Sequence, residues 1–79
     1  MNPKEVAGRK AAELVENGMK VGLGTGSTAY FAIKAIGEKV QAGLSITATA
    51  TSRQTESLAA ECGIPLLRLD EIGNLDLTI

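Results

Sequence analysis

Residues 21–28 read Val-Gly-Leu-Gly-Thr-Gly-Ser-Thr, with glycine at alternate positions from Gly22 to Gly26 and two hydroxyl residues directly after. The apolar first half suits a short buried strand, and the residues that follow open an amphipathic helix. A strand–glycine turn–helix junction gathers backbone N–H groups that lack intrahelical acceptors at the positive end of a helix dipole. Such a corner attracts an oxyanion. Glycine lets the backbone come close to that anion and take turn angles closed to other residues. Gly24, Thr25, Gly26, Ser27 and Thr28 are therefore the candidate binding residues, and a phosphate group is the natural occupant.

Two nucleotide sites use related loops, and neither fits. A dinucleotide fingerprint has glycines at offsets 0, 2 and 5. From Gly22 the first two are met by Gly22 and Gly24, but the third falls on Ser27. No acidic residue follows the second strand at ribose-reading distance, since that strand ends Ala48-Thr49-Ala50. A Walker A loop places lysine before its Ser/Thr, and the nearest downstream lysine is Lys34. A glycine turn that binds nothing is the plainer alternative, although three glycines and two hydroxyls exceed what a tight turn needs.

Thr51 and Ser52 follow the second strand and face the same crevice, so they are secondary candidates for substrate contact; helix capping accounts for them equally. Arg53 reads as a solvated first-turn residue. Glu56, Glu61, Asp70, Glu71 and Asp76 form no pair suited to acid–base catalysis. Cys62 reads as a small buried apolar residue, and Tyr30 and Phe31 as packing groups. Histidine is absent, which removes the commonest general base and metal ligand. No Cys/His/carboxylate cluster has metal spacing, so no metal site is expected.

The chain has 79 residues, one small domain at most, with 44% hydrophobic residues and a formal charge of −1. Dispersed Lys and Arg give no footprint for nucleic acid or an anionic membrane. No apolar run approaches the ~20 residues that span a bilayer, and Met-Asn-Pro-Lys-Glu lacks the pattern of a signal peptide. A single cysteine makes no internal disulfide, so a cytoplasmic setting is expected.

The elements that must position the loop follow from periodicity and punctuation. Asn2, Pro3 and Glu5 start a first helix, whose stripe is Ala7, Ala11, Leu14 and Val15 and whose end is Gly18. Met19–Leu23 is a strand. A second helix begins at Ser27 or Thr28, buries Ala29, Ile33, Ile36 and Val40, and stops at Gly43. Leu44–Thr49 alternates as a second strand. Thr51 and Gln54 suggest a capping box for a third helix, with stripe Thr55, Leu58, Ala59 and Cys62 and stop Gly63. Ile64–Leu69 reads as a third strand, placed at a sheet edge by Pro65. Asp70–Asn74 is a turn, and Leu75, Leu77 and Ile79 alternate as a fourth strand. Strands alternating with helices predict an α/β fold: an open parallel sheet of βαβ units, Rossmann-like, with strand order 3-2-1-4 and the loop at the reversal point. Stopping in mid-strand at Ile79 leads us to expect residues 1–79 to be the N-terminal part of a larger α/β domain.

Three stretches carry a family resemblance. Val21-Gly22-Leu23-Gly24-Thr25-Gly26-Ser27-Thr28-Ala29 resembles the phosphate loop of type A ribose-5-phosphate isomerases. Thr51-Ser52-Arg53-Gln54-Thr55, with Leu58-Ala59 and Gly63-Ile64-Pro65-Leu66, resembles the family's second βα unit. Leu75-Asp76-Leu77-Thr78-Ile79 resembles the strand entering its Asp-Gly-Ala-Asp-Glu motif. The resemblance implies interconversion of ribose 5-phosphate and ribulose 5-phosphate, in the non-oxidative pentose phosphate pathway, without metal or cofactor, through an enediolate. It implies that Thr25, Gly26, Ser27 and Thr28 bind substrate. It further implies that the catalytic Glu, the Asp pair and the Lys of a Lys-Gly-Gly-Gly segment lie beyond position 79, so that the 79 residues alone are inactive. A homo-oligomer, dimer or tetramer, is implied for the full-length protein.

Two other classes share the architecture. A sugar-phosphate sensor, such as the effector domain of a repressor, would use the same loop, but one helix over residues 3–17 leaves no room for a helix-turn-helix. A non-catalytic structural module would have no ligand at the loop at all. Fold alone does not separate these classes.

Overall fold

The computed structural model describes residues 2–79. Its centre is β1 (Lys20–Leu23), where Val21, Gly22 and Leu23 are all buried. A strand covered on both faces has this continuous apolar pattern, as in parallel sheets. β2 (Thr47–Ala50) and β3 (Leu77–Thr78) flank it. The order is β2-β1-β3 and both pairings are parallel. Lys20 to Leu23 register against Thr47 to Ala50, and Val21 and Gly22 against Leu77 and Thr78. The parallel α/β class read from the sequence is therefore the observed one.

Helices α1 (Pro3–Glu13), α2 (Ser27–Gln41) and α3 (Arg53–Glu61) pack with the sheet. Leu23, Ile33, Ile36 and Val21 are among the largest fully buried side chains. Each contributes about 1.5–3 kcal/mol from area removed from water. In α2, Ala29, Ile33 and Ile36 are buried and Val40 packs against the core, as the periodicity predicts. Gly43 (φ +113°) follows the end of α2 and Gly63 (φ +76°) the end of α3.

Several expectations need correction. The buried face of α1 is Gly8, Ala12 and the following Val15, while Ala7 is exposed and Leu14 is 61% exposed. Gly8 causes this rotation: a Cβ there would lie 2.7 Å from Thr28 O and Ala32 N, so α1 meets the α2 backbone at its glycine. The helix also ends at Glu13, and Gly18 (φ +85°) instead serves a turn closed by Met19 N–H to Glu16 O.

Ile64–Leu69 forms no strand. It makes one parallel bridge, Ala48 with Leu66, through Ala48 N–H to Pro65 O (3.0 Å) and Leu67 N–H to Ala48 O (2.8 Å). Pro65 has no N–H to extend the ladder, and the chain turns at once into a short helix, α4 (Leu69–Ile72), to bury Ile72. The sheet is thus three-stranded rather than four-stranded, and α4 replaces the expected turn over Asp70–Asn74. The second strand is shorter than Leu44–Thr49, since β2 begins at Thr47; the expected alternation holds through Ser45, Ile46 and Ala48 and breaks at Thr49, which is buried because the strand is covered on two faces. Finally, Ser52 caps α3, not Thr51: its Oγ accepts from Thr55 N–H at 3.2 Å. Tyr30, expected to pack, is 44% exposed and meets Phe31 edge-on at 5.3 Å.

Candidate functional site

The loop begins where β1 stops. Leu23 is the last residue of the strand, and Gly24 leaves the sheet under restraint from two sides. Gly24 N–H donates to Ile79 O at 2.9 Å, so the residue after β3 anchors the first of its two peptides. Gly24 C=O accepts from Thr55 Oγ1 at 3.0 Å, so α3 anchors the other. Only glycine fits, because a Cβ at position 24 would sit 2.5 Å from Ile79 O.

Gly26 then caps α2. Its φ of +101° and ψ of 172° lie in a region that essentially only glycine occupies. No side chain caps the helix. The first intrahelical bond is Tyr30 N–H to Gly26 O at 2.9 Å. Among the described residues no acceptor meets the N–H groups of Thr25, Gly26, Ser27, Thr28 or Ala29. Thr25, Gly26, Ser27 and Thr28 are all exposed, and the first turn of α2 carries no acidic side chain to offset the dipole. The five candidate residues therefore converge on one corner, with free amides and three hydroxyls facing water. Unpartnered donors grouped at a helix N-terminus have the chemistry that suits an anion.

Beside it lies a depression of ≈ 70 Å³ whose lining includes Gly24, Thr25, Gly26, Tyr30, Gln54 and Thr55, none of them charged. A larger cavity of ≈ 330 Å³ sits past the end of β2. It is a poor site for a phosphate dianion. Glu56 and Glu71 line it, and its one cation, Arg68, already lies 2.9 Å from Asp70. That guanidinium holds the Asp70 carboxyl below the usual aspartate range. Among the described residues no group of three or more His, Cys, Asp or Glu is placed to hold a metal ion, and no helix is long and apolar enough to cross a membrane.

The secondary candidates take supporting positions. Thr51 Oγ1 donates to Leu23 O at 3.2 Å, and Thr51 N–H donates to the same oxygen. Because Thr55 Oγ1 gives its only proton to Gly24 O, the 3.1 Å contact between Ser52 and Thr55 has Ser52 Oγ as donor. With both hydroxyl protons committed, Thr51 and Ser52 can meet a sugar only as acceptors. Arg53 is exposed, as are Glu56, Glu61, Asp70, Glu71 and Asp76.

Two residues that hold the loop escaped the sequence reading. Thr55 looked like a member of an apolar stripe, yet a hydroxyl on a buried stripe must find a partner, and that was the available signal. In the sequence Asp76 is one of five carboxylates with no acid–base partner. Its Oδ2 accepts from Lys20 N–H at 2.8 Å while its own N–H donates to Lys20 O at 2.7 Å, which sets β3 against β1. Nothing in local sequence pairs positions 20 and 76.

No family model matches the chain. Curated relatives do. The chain is 54% identical over all 79 residues to a protein named ribose-5-phosphate isomerase A from Bacillus thuringiensis subsp. konkukian, and 52% identical to one so named from Listeria innocua. It spans 36% and 35% of their respective lengths. Among solved structures, ribose 5-phosphate isomerase A from Methanocaldococcus jannaschii superposes with a TM-score of 0.89 at 37% identity, covering 95% of this chain and 33% of that one. A D-ribose-5-phosphate isomerase in complex with phospho-erythronic acid gives 0.89 at 39% identity, covering 95% of this chain and 34% of that one. Matched along its whole length in sequence and nearly so in fold, the chain belongs to the ribose-5-phosphate isomerase A family, of which it spans about a third of a member.

Proposed function

We propose that residues 1–79 supply the phosphate-binding corner of a cytoplasmic isomerase that interconverts D-ribose 5-phosphate and D-ribulose 5-phosphate in the non-oxidative pentose phosphate pathway. The observation that carries the reading is the open corner itself: unpartnered amides from Thr25 to Ala29 and the hydroxyls of Thr25, Ser27 and Thr28, in a stretch matching an isomerase solved with a phosphorylated sugar acid.

The work of these residues is binding and orientation. Neutral donors surround the dianion without bringing a competing charge, and the fixed helix end needs no reorganisation when the ligand arrives. Holding the phosphate at C5 directs the open-chain sugar away from the α2 terminus, leaving C1 and C2 at the far end. In the aldose, a base removes the C2 proton to give the enediolate, and the proton is returned at C1 to give the ketose. The loop has no ionisable side chain, so in this reading the base comes from outside it, on the segments the resemblance puts beyond position 79. Isolated residues 1–79 then give no turnover. A homo-oligomeric assembly belongs to the same proposal.

The test is steady-state kinetics on the full-length protein. Hydrogen bonds to charged groups are worth about 1.5–3 kcal/mol each. Ser27→Ala with Thr28→Ala should therefore raise KM for ribose 5-phosphate by at least about tenfold. An unchanged KM, or failure of the wild-type protein to make ribulose 5-phosphate, overturns the proposal.

A further inference from the structure

We propose that Thr55 is a positioning residue for phosphate binding: its hydroxyl aims the first amide of the anion corner by holding the carbonyl of Gly24. The inference rests on the corner being the phosphate site. It adds a residue that touches no ligand and lies on another element, 31 positions away from the glycine it grips.

Thr55 is 4% exposed, one of two buried polar residues among the described residues. A hydroxyl at such a position needs a partner, and the residue makes three hydrogen bonds, two of them through the hydroxyl. Its oxygen accepts from Ser52 Oγ at 3.1 Å, its proton goes to Gly24 O at 3.0 Å, and its own N–H donates to Ser52 Oγ at 3.2 Å. Ser52, Thr55 and Gly24 form a directed chain in which each bond polarises the next. The chain has one consequence for binding. Gly24 C=O and Thr25 N–H share one planar trans peptide, so they point in opposite directions. Fixing the carbonyl toward α3 fixes the Thr25 N–H away from it, and Thr25 N–H is the first unpartnered donor of the corner. Ile79 O holds the preceding peptide through Gly24 N–H, but that bond leaves rotation of the Gly24–Thr25 peptide unrestrained. Glycine, with its wide range of ψ, would otherwise permit that rotation.

Thr55→Val keeps shape and removes the hydroxyl; Thr55→Ser removes the methyl and keeps it. In the full-length protein, Thr55→Val should raise both KM for ribose 5-phosphate and the inhibition constant of inorganic phosphate by about five- to tenfold, with kcat changed less than threefold. That is the loss expected for one hydrogen bond of this kind. Thr55→Ser should restore both constants to within twofold of wild type. If Thr55→Val does not fold, Thr55→Ala carries the same expectation. Gly18→Ala, a strained turn far from the loop, controls for lost stability. Thr55→Val constants equal to wild type, while Ser27→Ala with Thr28→Ala raises them, would overturn the role of Thr55 and leave the phosphate site standing. Constants unmoved by either substitution would remove both. A defect in Thr55→Ser as large as in Thr55→Val would also overturn it, because the hydroxyl would then not be the group that matters.

Discussion

Replacing Gly26 by alanine isolates the backbone contribution to the site, because nothing lies within 4 Å of the Cβ it would add. No steric clash is introduced, and the whole effect comes from φ +101° and ψ 172°. A residue with a Cβ held in that region costs of order 1–3 kcal/mol. The surroundings do not force alanine to stay there, since Gly26 is exposed and its side is open. The free loop therefore relaxes, turning the Ser27 and Thr28 amides from their common focus. Binding must then restore the strained conformer, and the apparent affinity falls by the population of that conformer. At 1.4 kcal/mol per tenfold, 1–3 kcal/mol becomes a loss of about 5- to 150-fold.

Titration calorimetry of inorganic phosphate into the full-length protein reads this directly. Gly18→Ala is the matched control: its φ is +85° and its Cβ also meets nothing within 4 Å, but it lies in the turn before β1. It should lose a similar 1–2 kcal/mol of stability and keep its phosphate affinity within twofold. Equal affinity for Gly26→Ala and wild type would refute the claim that the conformation at residue 26 presents the donors. Equal losses in both variants would refute it too, since stability alone would then explain the result.

Three further outcomes follow from the same geometry. Gly8→Ala gains about 1 kcal/mol of helix propensity, but its Cβ would lie 2.7 Å from the α2 backbone. Overpacking of about 1–3 kcal/mol wins, so urea unfolding should show net destabilisation; a more stable variant would mean that α1 and α2 are not in close contact. Gly24→Ala should break the Gly24–Ile79 bond and lower both the melting temperature and phosphate affinity, because the obstacle at 2.5 Å is a backbone oxygen with no rotamer to change. A variant that retains both would place Ile79 elsewhere. Asp70, an exposed carboxylate, has its pKa lowered, chiefly by the Arg68 hydrogen bond. A depressed folded pKa gives stability that is present above the unfolded value and lost as pH falls through the folded one. The difference between wild type and Asp70→Asn should therefore be small at pH 7, screened by salt, and vanish below the usual aspartate range; a difference that grows on acidification would contradict the pairing.

What could be read from the sequence was whatever local chemistry decides. Gly26 and Gly43 announce their conformations by being glycine next to helical periodicity. Ser27 and Thr28 announce a helix start. Strand β1 was legible because three successive residues without charge leave no face for water. What escaped depends on partners distant in the chain. The α1 stripe was misplaced because periodicity assumes that a buried face is made of side chains, whereas Gly8 buries a face by having none. The segment after Gly63 has strand composition, yet it makes a single bridge at Leu66 and then turns into α4, which buries Ile72. Thr51 and Ser52 both carry the residue type of a cap, and only coordinates decide which of them bonds Thr55 N–H.

The glycine motif alone is thus an incomplete description of the site. A peptide with the sequence of residues 21–28 would have the same donors and no reason to aim them. Aim comes from Gly24, whose N–H is held from a residue 55 positions later and whose carbonyl is held from one 31 positions later. Asp76 in turn sets the strand that leads to Ile79 by bonding both ends of the Lys20 backbone unit. Each restraint is an ordinary hydrogen bond worth about 0.5–1.5 kcal/mol, far less than the binding energy of a dianion. Their effect is entropic: they confine one flexible peptide before the ligand arrives, so that little ordering is left for binding to accomplish. In the proposed function the loop residues meet the anion, while Ile79 and Thr55, which do not touch it, confine the Gly24 backbone that leads into them.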